Sequence, residues 1–264
     1  RVKLFLKIFQ KFFEEYQKRL SDAGEIDFED QINLAAEWLE DTDVTHSWKY
    51  ILVDEFQDIS QDRYRLVQAL LSHGNNIKLF AVGDDWQSIY RFAGADIDIM
   101  TNFENHFGAT AQNSLTTTFR SYQGLIDIAS DFVQRNPNQL KKIVKSVKSN
   151  PVANQVIVKE YTDDEDQSHQ ILALLEEISN TGKSNKTKLN AFIMARYGFQ
   201  LPQNRSAYRD FSSTLDINFT TVHASKGQEA DYILLLNVNS GKNGFPSLKE
   251  DDPLIRLILP RSEQ

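Results

Sequence analysis

The sequence contains no cysteine, which removes disulfide frameworks, thiolate zinc sites, iron–sulfur clusters and cysteine nucleophiles together. Its five histidines are scattered and form no H-x-x-x-H pair, so structural metal chemistry is not expected. Long apolar runs are also missing. Nothing approaches the about 20 residues that a membrane helix requires, and the N-terminal stretch has neither the charged lead nor the cleavage site of a secretory signal. A cytoplasmic location with no membrane partner is the expectation. Positive charge is in deficit, 29 Lys and Arg against 37 Asp and Glu, for a net charge of −8. That excludes a protein that coats DNA with bulk positive charge and requires any nucleic-acid site to be local. A phosphate-cradling G-x-x-x-x-G-K-[ST] loop is absent as well. Gly182-Lys183-Ser184 has its ending, but Glu177 stands where the first glycine belongs and the stretch reads as a polar loop.

What is present is the composition of a globular protein, with 41% hydrophobic and 25% charged residues over 264 positions. Leu4, Phe5, Ile8, Phe9, Phe12, Phe13, Tyr16 and Leu20 recur at three- and four-residue steps, which predicts an amphipathic helix ending at Gly24. Asp27 is placed to cap a second helix through Leu39. The texture then changes. Tyr50-Ile51-Leu52-Val53 and Ile77-Lys78-Leu79-Phe80-Ala81-Val82 read as buried parallel strands, joined by a helix that Ser60 would cap. A strand near Asn113–Thr118 precedes a helix through Val133. Strands are expected at Val156–Tyr161, Leu189–Met194, Ile217–Val222 and Tyr232–Val238, with a helix at Gln167–Ile178 and loops at Thr181–Lys188 and Tyr197–Leu215. From Lys49 onward the pattern is α/β.

The first strand delivers Asp54 and Glu55 to its carboxyl end, where open α/β sheets place ligands. Paired acids there serve equally as a turn or helix cap. The run Asp54-Glu55-Phe56-Gln57-Asp58, followed by Gly83-Asp84-Asp85-Trp86-Gln87-Ser88-Ile89-Tyr90-Arg91-Phe92-Ala93-Gly94, narrows the choice. It resembles motifs II and III of the UvrD/Rep-like superfamily 1 DNA helicases. Thr117-Thr118-Phe119-Arg120-Ser121 is similar to motif IV, and Thr221-Val222-His223-Ala224-Ser225-Lys226-Gly227-Gln228-Glu229 to motif V.

The resemblance implies ATP and Mg²⁺ as cofactors, with Asp54 on the metal, Glu55 as base or water-orienting group, Gln87 sensing the γ-phosphate and Arg120 as an arginine finger. It places Phe119 on adenine, where the family usually has Tyr, and Gly227 and Glu229 at the nucleotide, Glu229 on the ribose. Tyr90, Phe92, His223 and Lys226 would face single-stranded DNA or DNA junctions. It also implies RecA-like parallel sheets with flanking helices in two incomplete domains. Residues 1–48 would be a helical appendage, the end of a 1B-like region. Residues 49–113 would form a partial first RecA-like domain with motifs II and III. Residues 114–264 would form the second, with motifs IV and V and no large 2B insertion.

Departures from the family pattern set further expectations. Ala93 replaces a common Arg. With no motif I, no motif VI and Arg1 at the start, the chain reads as the central part of a longer 3′–5′ translocase. Alone it would be inactive, bind Mg-ATP poorly and be prone to self-association through an unfilled sheet position. The alternative is a degenerate helicase-like subunit that binds DNA or a partner without ATPase activity. A metal-dependent nuclease using Asp54, Glu55, Asp58, Asp84 and Asp85 is a third class, one that leaves Gln87 and Arg120 without roles. The basic run Arg135, Lys141, Lys142, Lys145, Lys148 either tracks phosphates or is a solvated helix face.

Overall fold

The computed structural model describes residues 2–42, 47–73, 76–137, 139–148 and 155–249. It is an α/β structure whose strand ladders are all parallel. The chain divides into two compact units, one running to Gln155 and the other beginning at Val156.

In the first unit, helix α1 (Val2–Ala23) is followed by α2 (Phe28–Asp41), which opens with a capping box. The Asp27 carboxylate accepts the Asp30 amide at 2.8 Å, and the Asp30 carboxylate accepts the Asp27 amide at 3.4 Å, satisfying two amides the helix leaves open. The Tyr16 hydroxyl donates to Asp27 at 2.9 Å and ties α1 to this start. Phe5, Phe9 and Phe13 stack along α1 at 5.9 and 6.2 Å, and its apolar face is exposed.

Strand β1 (Tyr50–Val53), helix α3 (Gln61–Ser72) and strand β2 (Lys78–Ala81) follow, with β1 and β2 paired in parallel. Ser60 stands at the N-cap of α3, but its hydroxyl makes no capping bond and instead accepts from Arg63 at 3.2 Å. Arg65 of α3 grips Glu40 of α2 through two nitrogens at 2.9 and 2.5 Å. These two strands are not buried on both faces as expected. Val53 and Ala81 pack on Phe56, Ile59 and Ile99, whereas Tyr50, Leu52 and Phe80 on the other face are exposed. Period-two alternation had been hidden because every residue of β1 is apolar. Two short helices, α4 (Asp98–Thr101) and α5 (Phe103–Phe107), close the core, with Phe103 and Phe107 at 5.4 and 6.0 Å from the Phe56 ring.

Beyond them, β3 (Thr117–Thr118) pairs with β4 (Lys145–Ser146), and α6 (Gln123–Val133) lies between them in sequence. Residues 139–148 contain no helix, only bends and unassigned backbone around β4, and Arg135 lies in the turn after α6, so the basic run is not a solvated helix face.

The second unit is a three-stranded sheet ordered β6-β5-β7, from β5 (Leu189–Ala195), β6 (Leu215–Thr221) and β7 (Tyr232–Leu235). Helix α7 (Asp164–Asn185) packs Ile171, Leu175 and Ile178 against Ala191, Ile193 and Ala195 of β5. This helix continues to Asn185, so it takes in the first five residues of the expected loop Thr181–Lys188, buried Gly182 among them, and leaves only residues 186–188 outside it. No strand forms at 156–161. The exposed Ile157 and Val158 there have apolar side chains but no ladder partner to make them a strand.

Candidate functional site

The carboxyl ends of β1 and β2 are bound together before any side chain acts. Val82 donates its amide to the Val53 carbonyl and Phe56 donates to the Val82 carbonyl, each at 2.9 Å. This brings the loop after β1, which carries Asp54 and Glu55, beside the loop after β2, which carries Asp84, Asp85 and Gln87.

Gln57 is the side chain that joins them. It is fully buried, and its amide nitrogen donates to Glu55 Oε2 at 2.5 Å while its amide oxygen accepts the Asp84 backbone N–H at 2.9 Å. Gly83 makes that approach possible: a Cβ there would lie 2.6 Å from Gln57 Oε1 and 3.0 Å from the Gln57 nitrogen. Gly83→Ala is therefore expected to push the bridge apart and destabilise the fold by about 1–3 kcal/mol, the usual cost of overpacking. The check is a lower urea-unfolding midpoint, and an unchanged midpoint would contradict the stated crowding.

Glu55 itself sits in the left-handed region at φ 50°, ψ 41°. That conformation costs a side-chain-bearing residue about 1–3 kcal/mol and recurs at functional positions. Asp54 accepts the Glu55 N–H at 2.8 Å, and both acids are exposed.

Past Gln57 the network continues into Asp84. Its Oδ2 accepts the Gln87 amide at 2.7 Å, and its Oδ1 accepts the Lys142 ammonium at 2.5 Å and the Trp86 N–H at 3.2 Å. Partial burial opposes the Asp84 charge, but the ammonium and the amide more than offset it and hold the carboxyl below its ordinary value. Asp85, 1% exposed, accepts Lys142 at 2.8 Å and the Leu140 N–H at 2.7 Å. Neither Lys142 nor Gln57 is among the site residues that the sequence motifs imply. Gln57 was legible as a word of motif II, whereas nothing local marks Lys142, whose partners lie far back in the sequence.

Phe92 is 65% exposed and meets Tyr90 edge-on at 6.0 Å. Phe119, 71% exposed, and exposed Arg120 follow β3. The Arg120 backbone is held at both ends, with its N–H donating to Thr118 Oγ1 at 3.3 Å and its carbonyl accepting Lys148 Nζ at 2.6 Å.

In the second unit, the turn after β6 carries the remaining expected residues. Ser225 N–H closes on the Thr221 carbonyl, and Gln228 N–H on the Ser225 carbonyl, both at 3.0 Å. Gly227 takes φ +78°, which a side chain would strain. His223 and Lys226 are half-buried, while Gly227 and Glu229 are exposed.

Among the described residues, no group of three or more His, Asp or Glu is placed to hold a metal ion. Mg²⁺ bound with a nucleotide needs only one or two protein carboxylates because phosphates and water supply the rest, and exposed Asp54 fits that use. Asp84 and Asp85, by contrast, are committed to Lys142, which disfavours the nuclease arrangement. Among the described residues, no helix is long and apolar enough to cross a membrane.

The fold and site define a parallel α/β protein with an acidic pair at one strand end, joined through the buried Gln57 amide to the loop after the neighbouring strand. Residues 3–108 match the family model of the UvrD/REP helicase N-terminal domain. The chain is 35% identical to DNA helicase IV of Escherichia coli over 258 residues, covering 98% of the chain and 36% of that protein. It is 29% identical to ATP-dependent DNA helicase UvrD1 of Mycobacterium tuberculosis over 188 residues, covering 67% of the chain and 24% of the relative. The chain is a UvrD-like helicase sequence that spans about a third or less of the length of these relatives.

Proposed function

We propose that the chain forms the nucleotide-facing centre of an ATP-dependent DNA helicase. In this reading motifs II and III lie in a first RecA-like domain and motifs IV and V in a second. Asp54 holds Mg²⁺, Glu55 takes the proton of the attacking water, Gln87 senses the γ-phosphate and Arg120 neutralises charge on the transferring group. Phe119 stacks on adenine, with Gly227 and Glu229 beside the nucleotide. Tyr90, Phe92, His223 and Lys226 contact single-stranded DNA, and an exposed aromatic such as Phe92 suits sequence-tolerant stacking on a base. Movement is 3′–5′, and junctions that expose single strands are the substrates.

The observation that carries the proposal is the continuous path Glu55–Gln57–Asp84–Gln87, which couples a candidate base to a candidate phosphate sensor across two strand ends. The 264-residue chain has no phosphate loop of its own, so alone it binds Mg-ATP poorly and turns it over negligibly. The bare face at Tyr50, Leu52 and Phe80 favours its self-association.

The test is Mg-ATP hydrolysis by the full-length protein with and without single-stranded DNA, followed by unwinding of duplexes with a 3′ or a 5′ tail. DNA-stimulated turnover and unwinding from the 3′ tail are expected, with the 264-residue chain inert. DNA binding without turnover in the full-length protein would replace the motor with a non-hydrolysing subunit.

A further inference from the structure

We infer that Lys142 is a positioning residue for the loop after β2, fixing Asp84 so that Asp84 in turn orients the Gln87 amide. The inference rests on the function proposed above. Lys142 stands within a run of basic residues, yet its side chain is only 19% exposed. Its ammonium contacts Asp84 at 2.5 Å and Asp85 at 2.8 Å and lies 4.6 Å over the Trp86 ring. An ammonium so committed is not offered to a DNA phosphate.

The surrounding backbone is docked to the same loop. Leu140 donates its N–H to Asp85 and accepts the Trp86 indole N–H at 3.1 Å, and the Gln139 amide, turned to donate, lies 2.7 Å from Asp85 Oδ2. A few residues on, β4 pairs with β3, and Lys148 grips the Arg120 carbonyl. One segment, 139–148, therefore holds the Gln87 loop at one end and the Arg120 loop at the other. Lys142 is the point where that segment touches the carboxylate that Gln87 leans on.

A residue in this role changes the rate of turnover, because the misplaced amide is needed as charge develops, and leaves nucleotide and DNA affinity nearly unchanged. A phosphate-contacting lysine does the reverse: its loss reduces the salt slope of DNA binding by about one. The two are separated by steady-state hydrolysis and salt-dependent single-stranded DNA binding in the full-length protein. Lys142→Gln is expected to lower kcat at least about tenfold with KM for ATP and the salt slope unchanged. Lys142→Arg should recover part of the loss by restoring charge. Because Lys142→Gln strands a buried carboxylate, the double variant Lys142→Gln, Asp85→Asn is included, and it should fold and remain slow.

Wild-type kcat in a folded double variant would overturn the inference, and so would a reduced salt slope with kcat intact. Absence of DNA-stimulated turnover in the unmodified protein would instead sink the function on which it rests.

Discussion

Glu55→Gln in the full-length protein is expected to cut DNA-stimulated Mg-ATP turnover by about 10²–10⁴-fold, the range for removing a general base. The structure makes this a clean substitution. Glu55 is held by its backbone in a left-handed conformation, and one carboxylate oxygen accepts the Gln57 amide. A glutamine keeps the length of the side chain and a carbonyl oxygen for Gln57 to donate to, so the bridge to Asp84 survives. What it loses is basicity and negative charge. Affinity for a non-hydrolysable Mg-ATP analogue should stay near wild type, which separates a chemical defect from a collapsed site. Turnover within about threefold of wild type would remove Glu55 from the base role.

That prediction depends on a contact only half visible in the sequence. The regular elements with clean periodicity were legible: α1 by its apolar stripe, α2 by its Asp27 cap, and β5, β6 and β7 by apolar runs with turn signals at their ends. The acids after β1 and the amide after β2 could be placed at strand ends because parallel α/β units put loops there. Three features were not legible, each for a different reason. The uniform apolarity of Tyr50–Val53 conceals which face is covered, since a strand in a short sheet lacks the second layer that a longer one would have. The helix over Asp164–Asn185 outruns its apolar residues because Gly182 packs against the backbone of Thr187, at 3.0 Å from an added Cβ, and needs no side chain to be buried. Lys142 reads as one basic residue among several, and only the long-range closure onto Asp84 and Asp85 distinguishes it from Lys141 and Lys145.

The structure also gives reason to expect a large and specific effect at Arg120. Its backbone is held at two points, since Thr118 Oγ1 accepts its N–H and Lys148 donates to its carbonyl. Lys148 is itself seated, with its ammonium 5.6 Å over the Tyr122 ring and its N–H on Ser146 Oγ at 2.9 Å. Arg120→Ala should therefore delete the guanidinium while leaving both backbone contacts at the β3 terminus in place. If the guanidinium acts as an arginine finger, the expected loss in turnover is about 10³–10⁵-fold. Arg120→Lys should restore little of it, because a single ammonium cannot span two phosphate oxygens as the planar fork does. The measurement is single-turnover hydrolysis at saturating nucleotide and DNA, paired with DNA-binding anisotropy, which should not move. A loss smaller than about tenfold with DNA binding weakened would mean that Arg120 serves the nucleic acid, and the charge-neutralising group would have to be sought elsewhere in the full-length protein.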